Sequence, residues 1–122
     1  MIRDEHQLQS ICCAFCEHQY PSLVMWSSLS GIKLTGASKY GVIQKEKQSC
    51  FKRGIPDIYI ALPKGTSLHI EFKNPNGKGK QSSDQKLMQK SLEKLGHLYT
   101  LVDSFQQFKD ILAEHTSILE KD

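Results

Sequence analysis

The chain has 122 residues, of which 39% are hydrophobic and 24% charged, a composition typical of one globular domain with a single modest core. No apolar run approaches the roughly 20 residues of a membrane-spanning helix, and the first residues lack the apolar stretch of a signal peptide. We therefore expect one domain over residues 1–122, located in a cytoplasm. The net charge is +3, and basic residues collect between positions 31 and 80. This asymmetry favours a polyanionic partner, although a solvated lysine-rich surface gives the same pattern.

The first predicted element is a helix from Glu5 to about Tyr20. Asp4 is placed to cap it, with Gln7 three residues later as in a capping box. Apolar residues recur along it at helical spacing. Pro21 ends the helix because proline cannot continue it.

Four cysteines raise the question of a metal or redox site. Cys13 and Cys16 have the C-x-x-C spacing of such sites. Cys50 has no close Cys or His in sequence to help complete four zinc ligands. Cys12 and Cys16 also fit the apolar stripe of the helix, so buried reduced thiols are the simpler interpretation.

The next segments predict a short strand and then a β-hairpin. Residues 23–26 are an apolar strand candidate, and residues 37–50 are a candidate basic helix. Residues 57–62 and 67–73 are rich in β-forming side chains, and Pro63, Lys64 and Gly65 are the predicted three-residue loop between the two strands. Such a loop favours a type I turn followed by a left-handed residue, which Gly65 can supply. If Leu62 faces Thr66, Asp57 lies opposite Glu71, and a one-residue slip would separate them.

The last third of the chain predicts a helix, a strand and a helix. Ser82 to Gln85 form a capped helix start, and Gly96 ends that helix. A strand over residues 97–102 then implies a right-handed crossover and parallel pairing with the Glu71 strand. Ser104 begins the final helix. The predicted fold is α/β, a mixed β-sheet flanked by α-helices. The expected inward side chains of these two helices are Leu87, Met88, Ser91, Leu92 and Leu95, then Phe108, Ile111, Leu112 and Leu119.

The chemically informative residues lie on the hairpin. Side chains alternate along a strand, so Glu71 and Lys73 share one face. Charged groups in mid-sheet need compensation, and a divalent cation bound by Asp57 and Glu71 would provide it. Oxygen ligands, with the backbone carbonyl of Phe72 as a further candidate, favour Mg²⁺ or Mn²⁺ over zinc. Lys73 could orient an attacking water or stabilise charge on a phosphate. The alternative is a surface Glu–Lys ion pair.

Gly54-Ile55-Pro56-Asp57 and Ile70-Glu71-Phe72-Lys73 together resemble the PD-(D/E)xK nuclease signature. More narrowly they resemble the virus-type replication-repair nuclease (VRR-NUC) family. Residues 5–9, 83–85 and 96–97 are similar to that family's opening helix, its helix after the catalytic strand and its closing crossover. The resemblance implies a restriction-endonuclease-like fold. It also implies Asp57, Glu71 and Lys73 as catalytic residues and an acidic metal ligand from the first helix.

The acidic ligand is either Glu5 or Asp4, since both lie near the apolar stripe of the helix. The family motif favours Glu5, which we expect to face inward. Gln9 and Gln85 are predicted to support the site, with a surface residue and a helix cap as the alternatives. Asn74, after Lys73, departs from the family pattern, as do residues 27–39.

The implied function is a Mg²⁺- or Mn²⁺-dependent endonuclease that cuts branched DNA, with four-way (Holliday) junctions favoured, as a homodimer of phage or prophage origin. Recognition would depend on the DNA backbone and shape more than on base edges. Alternatives are a nuclease acting on flaps, linear or single-stranded DNA, or RNA, and a non-catalytic DNA-binding module. The candidate DNA-contacting residues are Lys39, Lys45, Lys47, Lys52, Arg53, Lys78 and Lys80.

Overall fold

The computed structural model describes residues 1–28 and 52–117. The candidate basic helix over residues 37–50 and the side chain of Leu119 lie outside these ranges. Within them the chain forms three α-helices and four strands: α1 (Glu5–Gln19), β1 (Val24–Ser27), β2 (Ile58–Ala61), β3 (Ser67–Phe72), α2 (Ser83–Lys94), β4 (Leu98–Val102) and α3 (Phe105–His115). No helix of the described ranges is long and apolar enough to cross a membrane.

The strands form one mixed sheet in the order β1-β2-β3-β4. The β1–β2 and β2–β3 pairs are antiparallel, and the β3–β4 pair is parallel. The predicted mixed sheet and the parallel crossover through α2 are therefore confirmed. Ile58 pairs with Ile70 and Tyr59 with His69, which is the predicted register of the hairpin. That register brings residues 57 and 71 to the same end of neighbouring strands.

The hairpin turn differs from the prediction in one respect. The Leu62 N–H donates to the Thr66 carbonyl at 2.8 Å, as expected. Both Lys64 (φ 68°) and Gly65 (φ 78°) have left-handed backbone angles, so the predicted type I turn is wrong. A positive φ at the residue after a turn-initiating proline, here Pro63, is the requirement of a type II turn. The loop length is unchanged, and the register is unaffected.

One face of the sheet carries the hydrophobic core. Leu68, Ile70 and Phe72 alternate along β3 and are all buried, as period-two alternation predicts. Helices α1 and α3 cover this face. The remaining core residues are Leu8, Cys12 and Cys16 from α1, Ile58, Ile60 and Leu62 from the β2 segment, and Val102, Phe108 and Leu112 from the C-terminal elements.

The start of α1 is capped nearly as predicted. The Gln7 backbone N–H donates to Asp4 Oδ1 at 2.8 Å. The Gln7 side-chain oxygen accepts from the Arg3 N–H at 2.7 Å, so the reciprocal half of the box acts one residue earlier than the usual pattern.

Helix α2 covers the other face, and its predicted apolar side is only partly right, since Met88 and Leu92 are half-buried but Leu87, Ser91 and Leu95 are exposed. No residue of α2 is buried, and Leu87 and Leu95 are 64% and 74% exposed. The other half-buried positions of the helix are Gln85 and Gln89. The sheet beneath α2 presents polar groups that need hydrogen-bond partners, and amide side chains satisfy them better than leucines do.

Candidate functional site

Two carboxyl side chains meet on the sheet face opposite the hydrophobic core. Glu71 comes from β3 and is only 4% exposed. Asp57 directly precedes β2, and its Oδ2 accepts from the Phe72 backbone N–H at 2.7 Å. A hydrogen bond also links the Asp57 and Glu71 carboxyl groups. The strand register therefore produces the contact that the sequence pattern predicted between these two side chains.

Burial and the neighbouring carboxyl group raise the pKa of Glu71. Burial raises the pKa of Glu71 to about 9, and the hydrogen bond and the charge of Asp57 add to this effect. Lys73 opposes it, and Glu5 raises that pKa further. A buried carboxyl group that keeps its proton beside a second carboxyl group can exchange that proton for a cation. The all-oxygen donor set fits a hard divalent ion such as Mg²⁺ or Mn²⁺.

Gln85 forms hydrogen bonds with both Glu71 and Lys73. Its Nε2 donates to Glu71 Oε1 at 2.5 Å, while its Oε1 accepts from Lys73 Nζ at 2.9 Å. The same oxygen accepts from the Ser82 backbone N–H at 2.9 Å, completing the capping box of α2. Because an amide has one donor end and one acceptor end, this network fixes its orientation. Gln85 therefore caps the helix and supports the site at the same time, although the sequence offered these two roles as alternatives.

A backbone contact places Asp57 next to Gln85. Gly54 has a φ of 76°, and a Cβ added there would lie 2.6 Å from the Asp84 carbonyl carbon and 2.9 Å from the Gln85 nitrogen. The segment leading to Asp57 therefore lies directly on the first turn of α2. In the sequence Gly54 stands out only as the first residue of the G-I-P-D motif, and that motif gives no indication of a contact with α2.

A second glycine, Gly79, accommodates the stem of Lys73. A Cβ at Gly79 would lie 3.1 Å from Lys73 Cβ and 3.3 Å from its Cδ. The loop around it is held by local turns: the Asn76 N–H donates to Asn74 Oδ1 at 3.0 Å, and the Lys78 N–H donates to Asn76 Oδ1 at 2.8 Å. This loop gives Lys73 a defined path to Gln85.

Glu5 is placed differently from the prediction. Its side chain is exposed, so the expectation that it faces inward is wrong. At the first position of a helix no preceding turn lies beneath the side chain, so it stays accessible to water. Among residues 1–28 and 52–117, no three His, Cys, Asp or Glu side chains form a group that could hold a metal. Glu5 nevertheless lies close enough to influence the pKa of Glu71, and Gln9 is half-buried.

Four of the predicted DNA-contacting residues border the site. Lys52 and Arg53 lead into Gly54, and Lys78 and Lys80 flank Gly79; all four basic side chains are exposed. The close approaches of the two glycines therefore attach one basic pair to the start of α2 and the other to the Lys73 side chain. The other three predicted residues, Lys39, Lys45 and Lys47, lie outside the described ranges.

Aromatic side chains cross the same sheet face beside the carboxyl groups. The Trp26 ring stacks on Tyr59 with centroids 4.1 Å apart, and Tyr59 meets His69 edge-on at 5.0 Å. His69 also contacts the ring of His97, and Ser67 Oγ lies 2.9 Å from His69 Nε2 and 2.5 Å from His97 Nδ1. The sequence pattern had not singled out these residues. The only available signal was an aromatic residue two positions after Asp57.

The cysteines of α1 are buried or half-buried thiols. Burial raises the pKa of Cys12 to about 12 and the pKa values of Cys13 and Cys16 to about 11. A thiol must lose its proton to bind a metal or to act as a nucleophile. These values favour the interpretation of the three side chains as small core residues.

Comparison with known proteins supports the fold. A solved structure described as a VRR_NUC domain is similar to this chain, with a TM-score of 0.53 and 18% sequence identity, over 87% of this chain and 94% of the other. The predicted α/β fold and the resemblance to VRR-NUC are thereby confirmed at the level of the fold. No protein-family model matches the sequence, and no match was found among curated proteins.

Proposed function

We propose that this protein is a divalent-metal-dependent nuclease that hydrolyses phosphodiester bonds in DNA. The observation that carries the proposal is the contact between Asp57 and Glu71, with Lys73 tied to the same cluster through Gln85. The site lies on a fold similar to that of a VRR_NUC domain. A surface Glu–Lys ion pair does not account for an acid that is 4% exposed and in contact with a second acid.

Asp57, Glu71 and the Phe72 carbonyl would hold the ion. The N–H and C=O of one strand residue point towards the same neighbouring strand. Because the Phe72 N–H donates to Asp57, its carbonyl is directed towards the same side. When bound, Mg²⁺ or Mn²⁺ would offset the charge of the phosphodiester and lower the pKa of a water. Glu5 could complete the ligand set through a water or by reorienting.

Lys73 would act on the phosphate or the attacking water. Gln85 holds its ammonium group beside Glu71 without neutralising it, because the amide oxygen accepts a hydrogen bond from the lysine but carries no net charge. The positive charge of the lysine therefore remains available to stabilise the negative charge that develops on the phosphate oxygens.

The substrate we propose is branched DNA, with four-way junctions favoured and a homodimer as the active form. The basic residues at positions 52, 53, 78 and 80 are exposed and lie in the segments next to Asp57 and Lys73, and such residues attract phosphates without reading sequence. A two-fold dimer would present two such sites to two strands of a junction.

The test compares labelled four-way junction, flap, linear duplex and single-stranded DNA, each with Mg²⁺, Mn²⁺ or EDTA. We expect cleavage that requires the metal and is lost in Asp57→Asn and Glu71→Gln. Asp110→Asn, on the exposed surface of α3, is the matched control and should cut normally. An Asp57→Asn protein that cuts at the wild-type rate would refute the proposal. Junction binding without any product would identify a non-catalytic DNA-binding module.

A further inference from the structure

We propose that the aromatic row of Trp26, Tyr59 and His69 binds an unpaired base of the DNA strand whose backbone enters the carboxyl site. The inference rests on the nuclease function proposed above and specifies its substrate as DNA with unpaired nucleotides next to the scissile bond. It assigns a ligand to residues that take no part in the proposed hydrolysis.

The position of the row relative to the carboxyl groups is the first argument. Tyr59 follows Asp57 by two residues, and His69 precedes Glu71 by two. Side chains two apart on a strand share a face and are separated by about 6.5 Å along it. Trp26 pairs with Tyr59 across β1 and β2. Tyr59 and His69 are therefore the next side chains after the carboxyl groups on the same face of the sheet, two residues further along each strand.

The exposure of the indole is the second argument. Trp26 is 52% exposed although one side of its ring is stacked on Tyr59. Stacking covers one side of a ring, so the exposed area includes the side directed away from Tyr59. Tyr59 is held in turn by the edge of His69, and both are half-buried. Tyr59 and His69 therefore hold the indole in place while its other side stays exposed, as a stacking surface for bases requires.

The surroundings favour a nucleotide over a protein partner. Of the described residues of β1, Val24 and Trp26 are the exposed large hydrophobic side chains, a smaller apolar area than protein interfaces need. The inner end of the row is polar, with Ser67 between the imidazoles of His69 and His97. Exposed basic residues border the neighbouring site. An exposed aromatic ring together with exposed basic residues is the combination that binds single strands.

The single tryptophan of the chain provides a direct test. The wild-type protein is titrated in EDTA, where no cleavage occurs, with an oligothymidylate and with an abasic oligonucleotide of equal length and charge. We expect the oligothymidylate to quench Trp26 fluorescence and to bind more tightly than the abasic strand. In anisotropy with labelled strands, Trp26→Ala should weaken oligothymidylate binding by about 5- to 100-fold and leave abasic binding nearly unchanged.

Two further variants complete the design. Trp26→Phe should retain most of the affinity because it keeps a ring, and Leu87→Ala, an exposed apolar side chain on α2, should behave as wild type. Equal affinities for the two strands, or unchanged oligothymidylate binding by Trp26→Ala, would overturn the inference. So would a Trp26→Ala protein that changes from dimer to monomer with its DNA affinity intact, since the ring would then contact a second copy. The nuclease function fails separately, by an absence of metal-dependent cleavage in wild-type protein.

Discussion

Gly54 and Asp84 are in backbone contact, which joins the segment before one candidate metal ligand to the first turn of helix α2. Any Cβ at Gly54 would overlap the Asp84 carbonyl group, and the φ of 76° is itself unfavourable for other residues. The contact fixes the position of the segment before Asp57 relative to the helix turn that carries Gln85, although the two residues are 28 positions apart in the sequence.

Gly54→Ala should therefore reduce nuclease activity and also destabilise the fold, by more than the positive φ alone would cost. Relief of the overlap requires α2 or the Asp57 segment to move by a fraction of an ångström. Misplacement on that scale can reduce an enzymatic rate about 100-fold. The measurement is the cleavage rate at saturating metal, together with thermal unfolding.

Gly77→Ala is the control for the backbone angle alone. Its φ is also 76°, and nothing lies within 4 Å of an added Cβ. We expect a loss of about 1 kcal/mol in unfolding free energy with activity retained. If both alanine variants lose activity equally, the contact between Gly54 and α2 has no special part in the site.

Gln85→Ala should lower the cleavage rate by about 10- to 100-fold, since it removes hydrogen bonds to two charged groups. Lys73 would then be free to form an ion pair with Glu71, and the lysine charge would be lost to the phosphate. A single-turnover assay with metal titration measures the effect.

Gln89→Ala is the matched control, one turn further along the same helix, where the side chain bonds to Gln81 instead. It should cut at nearly the wild-type rate. A Gln85→Ala protein of full activity would show that the amide serves only as the reciprocal half of the capping box, which Ser82 and Gln85 form at the start of α2.

Local patterns were sufficient to predict most of the fold. The loop after Leu62 has the length that fixes a hairpin register, so the contact between Asp57 and Glu71 was predictable. The apolar spacing of Leu87 and Leu95 was misleading, because the sheet face beneath α2 is polar and attracts glutamines. Contacts between distant segments, such as Gly54 on Asp84, leave no local pattern.

The thiols of α1 should be unreactive in the folded protein. Their raised pKa values leave almost no thiolate at neutral pH, and the thiolate is the reacting species. In a Cys50→Ser background, which removes the cysteine outside the described ranges, we expect alkylation by iodoacetamide only after denaturant is added. Zinc should not protect the thiols or shift the melting temperature. Rapid alkylation of the native protein would favour the redox interpretation of the C-x-x-C spacing.

Glu71→Gln should stabilise the metal-free protein near neutral pH while abolishing cleavage. The pKa of Glu71 is about 9 in the folded chain against an ordinary value of 4.5. Between these values the folded state binds more protons than the unfolded state, so wild-type stability falls as the pH rises through this window. Glutamine has no such proton to lose and can keep its hydrogen bond from Gln85. We expect the melting temperature in EDTA at pH 7 to rise by roughly 5 °C, with the difference vanishing towards pH 4.5.

Glu114→Gln, exposed on α3, is the control and should leave the melting temperature unchanged at both pH values. Mg²⁺ should raise the wild-type melting temperature much more than that of Glu71→Gln. A Glu71→Gln protein that melts below wild type throughout this pH range would show that the carboxylate stabilises the fold and is not strained by its neighbours.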